Sequence, residues 1–162
     1  MTLCKSLIER GFNFAGVALV TFGGLCIWAA IHGTTCNQGD DSFLLIGGLP
    51  STLSYVLGFA LLLWKPLPHV LWLLMVPALA LVLYLIYWTG RFAYEYFGLS
   101  GAACNLVWGN NGVFPRDSGE LPMLGWWTSL CVLAVAGTFS AWRCTLGAQL
   151  GSGLHSSKGT TR

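Results

Sequence analysis

The hydrophobic pattern of this chain is one of long uncharged runs broken by short polar connections. Four windows, 11–39, 42–64, 66–90 and 121–142, contain no Asp, Glu, Lys or Arg. Each is longer than the roughly 18 apolar residues that read as a membrane-spanning helix, and about 20 residues rising 1.5 Å each cross about 30 Å of hydrocarbon. The pattern therefore predicts an all-α membrane protein, a four-transmembrane-helix bundle. Its spans fall at about residues 12–31, 42–64, 70–88 and 123–142. Residues 1–146 form one membrane domain, and 147–162, rich in Gly, Ser and Thr, read as a disordered tail.

The aromatic residues agree with these limits. Trp28, Trp64, Trp72, Trp88, Trp126, Trp127 and Trp142 fall near span ends, with Tyr84 and Tyr87. Amphipathic rings favour the headgroup level, so they read as belts at both interfaces. The first span follows Lys5 and Arg10 but is near 20 residues, longer than the 7–15 of a signal-peptide core, and is expected to be retained.

Composition narrows the class of protein. Charged residues are 9% of the chain, against about 25% in a soluble domain. A formal charge of +2 supplies no basic patch, so no nucleic-acid partner is expected. The few cations set the orientation. With four spans, Lys5, Arg10, Lys65, Arg143, Lys158 and Arg162 share one side, and only Arg91 and Arg116 lie on the other. The positive-inside rule then places both termini in the cytoplasm, most simply at a plasma (cytoplasmic or inner) membrane.

Helices in lipid associate by close packing of small residues and a few hydrogen bonds. The second span offers Gly47/Ser51 and Ser54/Gly58, and the fourth Ala134/Thr138, Ala136/Ser140 and Gly137/Ala141. The third is bulky, with Leu71, Leu73, Leu74, Leu79, Leu81, Leu83 and Leu85, and is expected to face lipid or a partner. Pro77 should kink that span, since it removes a backbone donor. Pro66 and Pro68 mark a tight turn that would make spans two and three an antiparallel hairpin.

Chemistry is sparse. No span has an ionisable residue at its centre, where proton relays and ion paths place one. His32 and His69 fall at span ends, and nucleophile-elbow, P-loop and dinucleotide motifs are absent. His32 and Cys36 lack the paired spacing of a metal site, so no metal or other cofactor is expected. Cys4 and Cys144 fall on the cytoplasmic side, and Cys26 and Cys131 lie within spans. Cys36 and Cys104 are left, one in each outer loop, and are expected to form a disulfide in that oxidising compartment. The four-span layout resembles, in architecture alone, the quinone-coupled disulfide-generating membrane enzymes. Those need a Cys-x-x-Cys pair, which this sequence lacks.

The outer connection, residues 91–120, is expected to be structured. Phe92, Tyr94, Tyr96 and Phe97 would extend span three along the headgroup level, with Arg91 and Glu95 paired at i, i+4. Gly109–Asn110–Asn111–Gly112 then suits a hairpin turn carrying Trp108 and Phe114. These six aromatics are candidate contact residues. Without catalytic groups, the expected function is non-enzymatic: contact with another membrane or membrane-inserting protein, as an accessory subunit or a toxin-immunity protein. A small oligomeric transporter or channel for an uncharged solute is the alternative. A lipid- or quinone-directed enzyme would need convergent His, Asp or Glu at one membrane face.

Overall fold

A computed structural model describes residues 2–33, 42–64, 67, 69–102, 105 and 119–157. Among them run α1 (Thr2–Gly33), α2 (Ser42–Trp64), a 3-10 segment (His69–Met75), α3 (Val76–Gly98) and α4 (Glu120–Ser157). Four stretches are long and apolar enough to cross a membrane: Arg10–His32, Gly47–Trp64, Trp72–Gly98 and Glu120–Gly147. The chain thus has the helices of a multi-pass membrane protein.

Side-chain contacts fix how the helices run. Gly23 meets Ser54 and Tyr55 while Gly16 meets Gly58 and Leu62, so α1 and α2 are antiparallel. Trp72 meets Trp142 and Phe92 meets Trp127, so α3 and α4 are antiparallel too. Gly48 against Trp126 and Gly137 against Phe59 make α2 and α4 parallel. The order around the bundle is α2, α1, α3, α4, with α1 opposite α4 and α2 opposite α3. Spans two and three are therefore not the packed hairpin that Pro66 and Pro68 predict. The connection crosses the diagonal, its end, His69–Met75, being the 3-10 segment.

The tightest interface is α1 on α2. Gly16, Val20, Gly23, Ile27 and Ala30 of α1 are buried, spaced alternately four and three apart. Gly47, Ser51, Ser54 and Gly58 of α2 are buried at the same spacing. That heptad spacing keeps one seam of each helix on its partner. Glycine is required where backbones touch: a methyl group at Gly58 would lie 2.8 Å from Val20 Cγ2 and 3.0 Å from the Gly16 carbonyl oxygen. Ser51 Oγ lies 2.8 Å from the Gly23 carbonyl oxygen and 2.7 Å from that of Gly47, sharing its one proton between them. The α1–α3 and α2–α4 interfaces use a ring or a branched chain in a glycine notch: Leu81 at Gly24, Trp126 at Gly48 and Phe59 at Gly137. On α4 the inward small residues are Ala134, Gly137 and Ala141, while Ala136 faces outward.

Two features differ from expectation. Pro77 stands in the first turn of α3, just after the 3-10 segment, not inside a continuous α-helix. Its missing N–H costs little there, because first-turn donors have no intrahelical acceptor. Pro50 stands inside a helix, in α2. Helix α3 runs ten residues past Trp88 to Gly98, the extension expected of this segment, with Phe92 and Tyr96 continuing its buried face. Helix α4 continues through Ser157, so residues 147–157 are helical where composition predicts disorder. Extending a helix already held by packing costs far less than nucleating one.

Candidate functional site at the α3–α4 end

The connection from α3 to α4 gathers the polar groups that the sequence scatters. Helix α3 stops at Leu99, and Ser100 takes a left-handed conformation (φ 54°) that only Gly and Asn adopt readily. The turn brings two donors to one acceptor: the N–H groups of Leu99 and Gly101 both donate to the Glu95 carbonyl oxygen, at 3.2 and 3.0 Å. Ala102 and Asn105 then pass inward and are buried, the Asn105 N–H donating to the Ala102 carbonyl oxygen at 3.0 Å.

Glu95 lies beneath this turn with 1% of its surface exposed. A methyl group on Gly101 would run into the Glu95 carboxyl and would lie 2.7 Å from Asn105 Nδ2, so the missing side chain is the space that both groups use. Glu95 Oε1 has no hydrogen-bond partner among the described residues. Glu120, at the start of α4, is also buried. Taking Phe92 and Trp127 as level, the helical rise puts Glu95 and Glu120 about 6 Å apart along the bundle axis. The surface pair expected of Arg91 and Glu95 is not formed: Arg91 stays exposed, and Glu95 turns into the bundle. Among the described residues, no three His, Cys, Asp or Glu side chains come together as a metal-ligand set.

The expected contact aromatics divide by helical face. Phe92 (2% exposed) and Tyr96 (6%) belong to the core, and Phe92 meets Trp127 edge-on at 6.4 Å. These two are corrected from surface to core, and Trp127 is buried with them. Tyr94 and Phe97, on the opposite face, are 62% and 64% exposed. They close a stripe along α3 made of Val76, Ala80, Leu83, Tyr87, Gly90, Tyr94 and Phe97, every one exposed and spaced alternately four and three. Gly90 leaves open space at its middle, where a methyl group would meet nothing within 4 Å. Cys36, Cys104, Trp108 and Phe114 lie outside the described residues.

Belts of rings mark both ends of the bundle. Trp28, His32, Tyr84 and Trp88 form a chain of ring contacts at one end, with the Tyr84 hydroxyl 3.4 Å from His32 Nδ1. At the other end Trp72 stacks obliquely on Trp142, and its Nε1–H donates to Thr145 Oγ1 at 3.3 Å. No protein-family model, curated protein or solved structure matches the chain.

The buried position of Glu95 had no signal in the composition. Its spacing from Arg91 reads as a surface ion pair on the extension of span three. The division of the aromatics did have one: continuing the 3.6-residue period of α3 to Gly98 places Phe92 and Tyr96 on the face of Leu85 and Thr89.

Proposed function

We propose that this is a non-enzymatic integral membrane protein that works by lateral contact, its α3 stripe receiving a transmembrane helix of another membrane or membrane-inserting protein. The observation that carries this reading is the exposed heptad stripe. It repeats on the outside of the bundle the spacing that α1 and α2 use between themselves. Ala80 and Gly90 stand among its large residues, and small residues let membrane helices approach closely. Accessory subunits and toxin-immunity proteins are the classes that suit such a surface. The oligomeric-channel alternative gains nothing from the bundle centre, where Tyr55, Phe59, Leu85, Leu130 and Ala134 are all buried.

On this reading both termini are cytoplasmic in a plasma membrane, and the Glu95–Gly101 turn faces outward. A Cys36–Cys104 disulfide would then tie the two outer loops, stabilising the fold by about 4 kcal/mol on the chain-entropy estimate. Alkylation of the non-reduced protein tests it: both thiols labelling freely would remove the bridge.

The function is tested by purifying tagged protein in mild detergent beside a Gly90→Leu variant. Open space at Gly90 lets the variant fold. The wild type should carry one polypeptide in fixed stoichiometry, and Gly90→Leu should lose it while keeping its helicity. A partner retained by the variant overturns the assignment to α3. A homo-oligomer that passes an uncharged solute in liposomes would establish the channel instead.

A further inference from the structure

On the side of the bundle between α3 and α4, at the Trp72–Trp142 end, an open groove of about 360 Å³ is lined by apolar side chains, among them Leu79, Leu83, Ile86, Val135, Phe139 and Trp142. From Leu79 to Ile86 it runs about 10 Å along the axis at 1.5 Å per residue. One leaflet supplies about 15 Å of hydrocarbon. On α4 its lining runs from Trp142, in the aromatic belt, about 10 Å inward to Val135, which is within reach of an acyl chain from one leaflet.

A charge stands at its mouth. Arg143 follows Trp142, yet its guanidinium carbon lies 5.7 Å from the centre of the Phe139 ring, one turn back along α4. Phe139 lines the groove and is itself exposed. The exposed cation is thus folded back along α4 toward the apolar zone. At that depth a cation calls for an anion, and a guanidinium matches a phosphate with two parallel donors.

We infer that the groove and Arg143 together form a site for one anionic phospholipid, its acyl chain lying along Leu83 and Phe139 and its phosphate meeting the guanidinium. Leu83 is shared with the α3 stripe of the proposed contact function, whereas Arg143 and Val135 lie on α4 and off that stripe, so variants at those two positions test the groove alone. Net headgroup charge decides the preference, since a choline headgroup neutralises its own phosphate.

Native mass spectrometry of the delipidated full chain, offered equimolar phosphatidylglycerol and phosphatidylcholine with the same acyl chains, tests this. One basic residue near an anionic surface gives about a fivefold preference. The wild type should retain one phosphatidylglycerol at about that ratio, and Arg143→Gln should bring the ratio to about one. Val135→Trp, a change at an exposed groove position, should lower retention of both lipids with helicity unchanged. Equal retention by the wild type, an undiminished preference in Arg143→Gln, or full retention in Val135→Trp would overturn the site.

Discussion

Replacing Gly58 by Ala adds one methyl group where α1 and α2 are closest. The new carbon would lie 2.8 Å from Val20 Cγ2, 3.0 Å from the Gly16 carbonyl oxygen and 3.1 Å from the Val20 amide nitrogen. Two of these three neighbours are backbone and cannot rotate away. Forcing a methyl group into a packed interface costs about 1–3 kcal/mol. Alanine in a helix interior returns about 0.5–1 kcal/mol relative to glycine. The net expectation is a loss of about 1–2 kcal/mol. Gly125 on α4 is the control, because nothing lies within 4 Å of a methyl group there. Gly125→Ala keeps the propensity gain alone and should be about 0.5 kcal/mol more stable than wild type. The assay is reversible unfolding in mixed micelles, followed by tryptophan fluorescence, for both variants side by side. If Gly58→Ala is as stable as wild type, the close approach of Gly16 and Gly58 is wrong, and with it the register of the α1–α2 seam.

Other expectations follow from single contacts and use the same assay. Ser51→Ala removes the hydroxyl shared between the Gly23 and Gly47 carbonyls and should cost about 0.6 kcal/mol, the usual scale for a hydrogen bond between membrane helices. Trp126→Phe keeps a ring in the Gly48 notch but loses the 3.0 Å bond from Nε1–H to Thr52 Oγ1. It should cost about the same 0.6 kcal/mol, whereas Trp126→Ala, which empties the notch, should cost about 3 kcal/mol. Ser100→Gly relieves a left-handed serine and should stabilise by up to about 1 kcal/mol, measured as a higher unfolding midpoint. Gly101→Ala pushes on both Glu95 and Asn105 and should cost about 1–3 kcal/mol, and Glu95→Gln, which is no smaller, should not rescue it.

Much of the scaffold is legible in the sequence because it follows from solvation. A run such as 42–64 without a charge can be buried only in lipid or in a large core, and its length selects the bilayer. The pairs Gly47/Ser51 and Ser54/Gly58 are legible as a small face. That this face meets Gly16 and Gly23 is not, since spacing within a helix carries no address for its partner. The same gap explains the missed diagonal: prolines at 66 and 68 signal a turn, but the packing of α1 between α2 and α3 decides which helices touch. At the α3–α4 end the sequence misleads for a physical reason. Arg91 and Glu95 are four apart on the extension of span three, which reads as a surface ion pair. Glu95 instead shares the buried face of Phe92 and Tyr96, and the packing of Phe92 on Trp127 is a tertiary gain invisible to local pattern.

The central claim is that α3 is a contact helix, and its heptad stripe makes that claim measurable. A photoreactive amino acid placed singly at Leu83, Ile86, Tyr87, Gly90, Arg91 and Tyr94, all exposed, samples positions on and off the stripe. Irradiation in intact cells should give a crosslink of one added mass, unlike this chain's own, from Leu83, Tyr87, Gly90 and Tyr94, with Ile86 and Arg91 weak. Equal yields at all six positions, or products of twice the chain's own mass alone, would contradict the account.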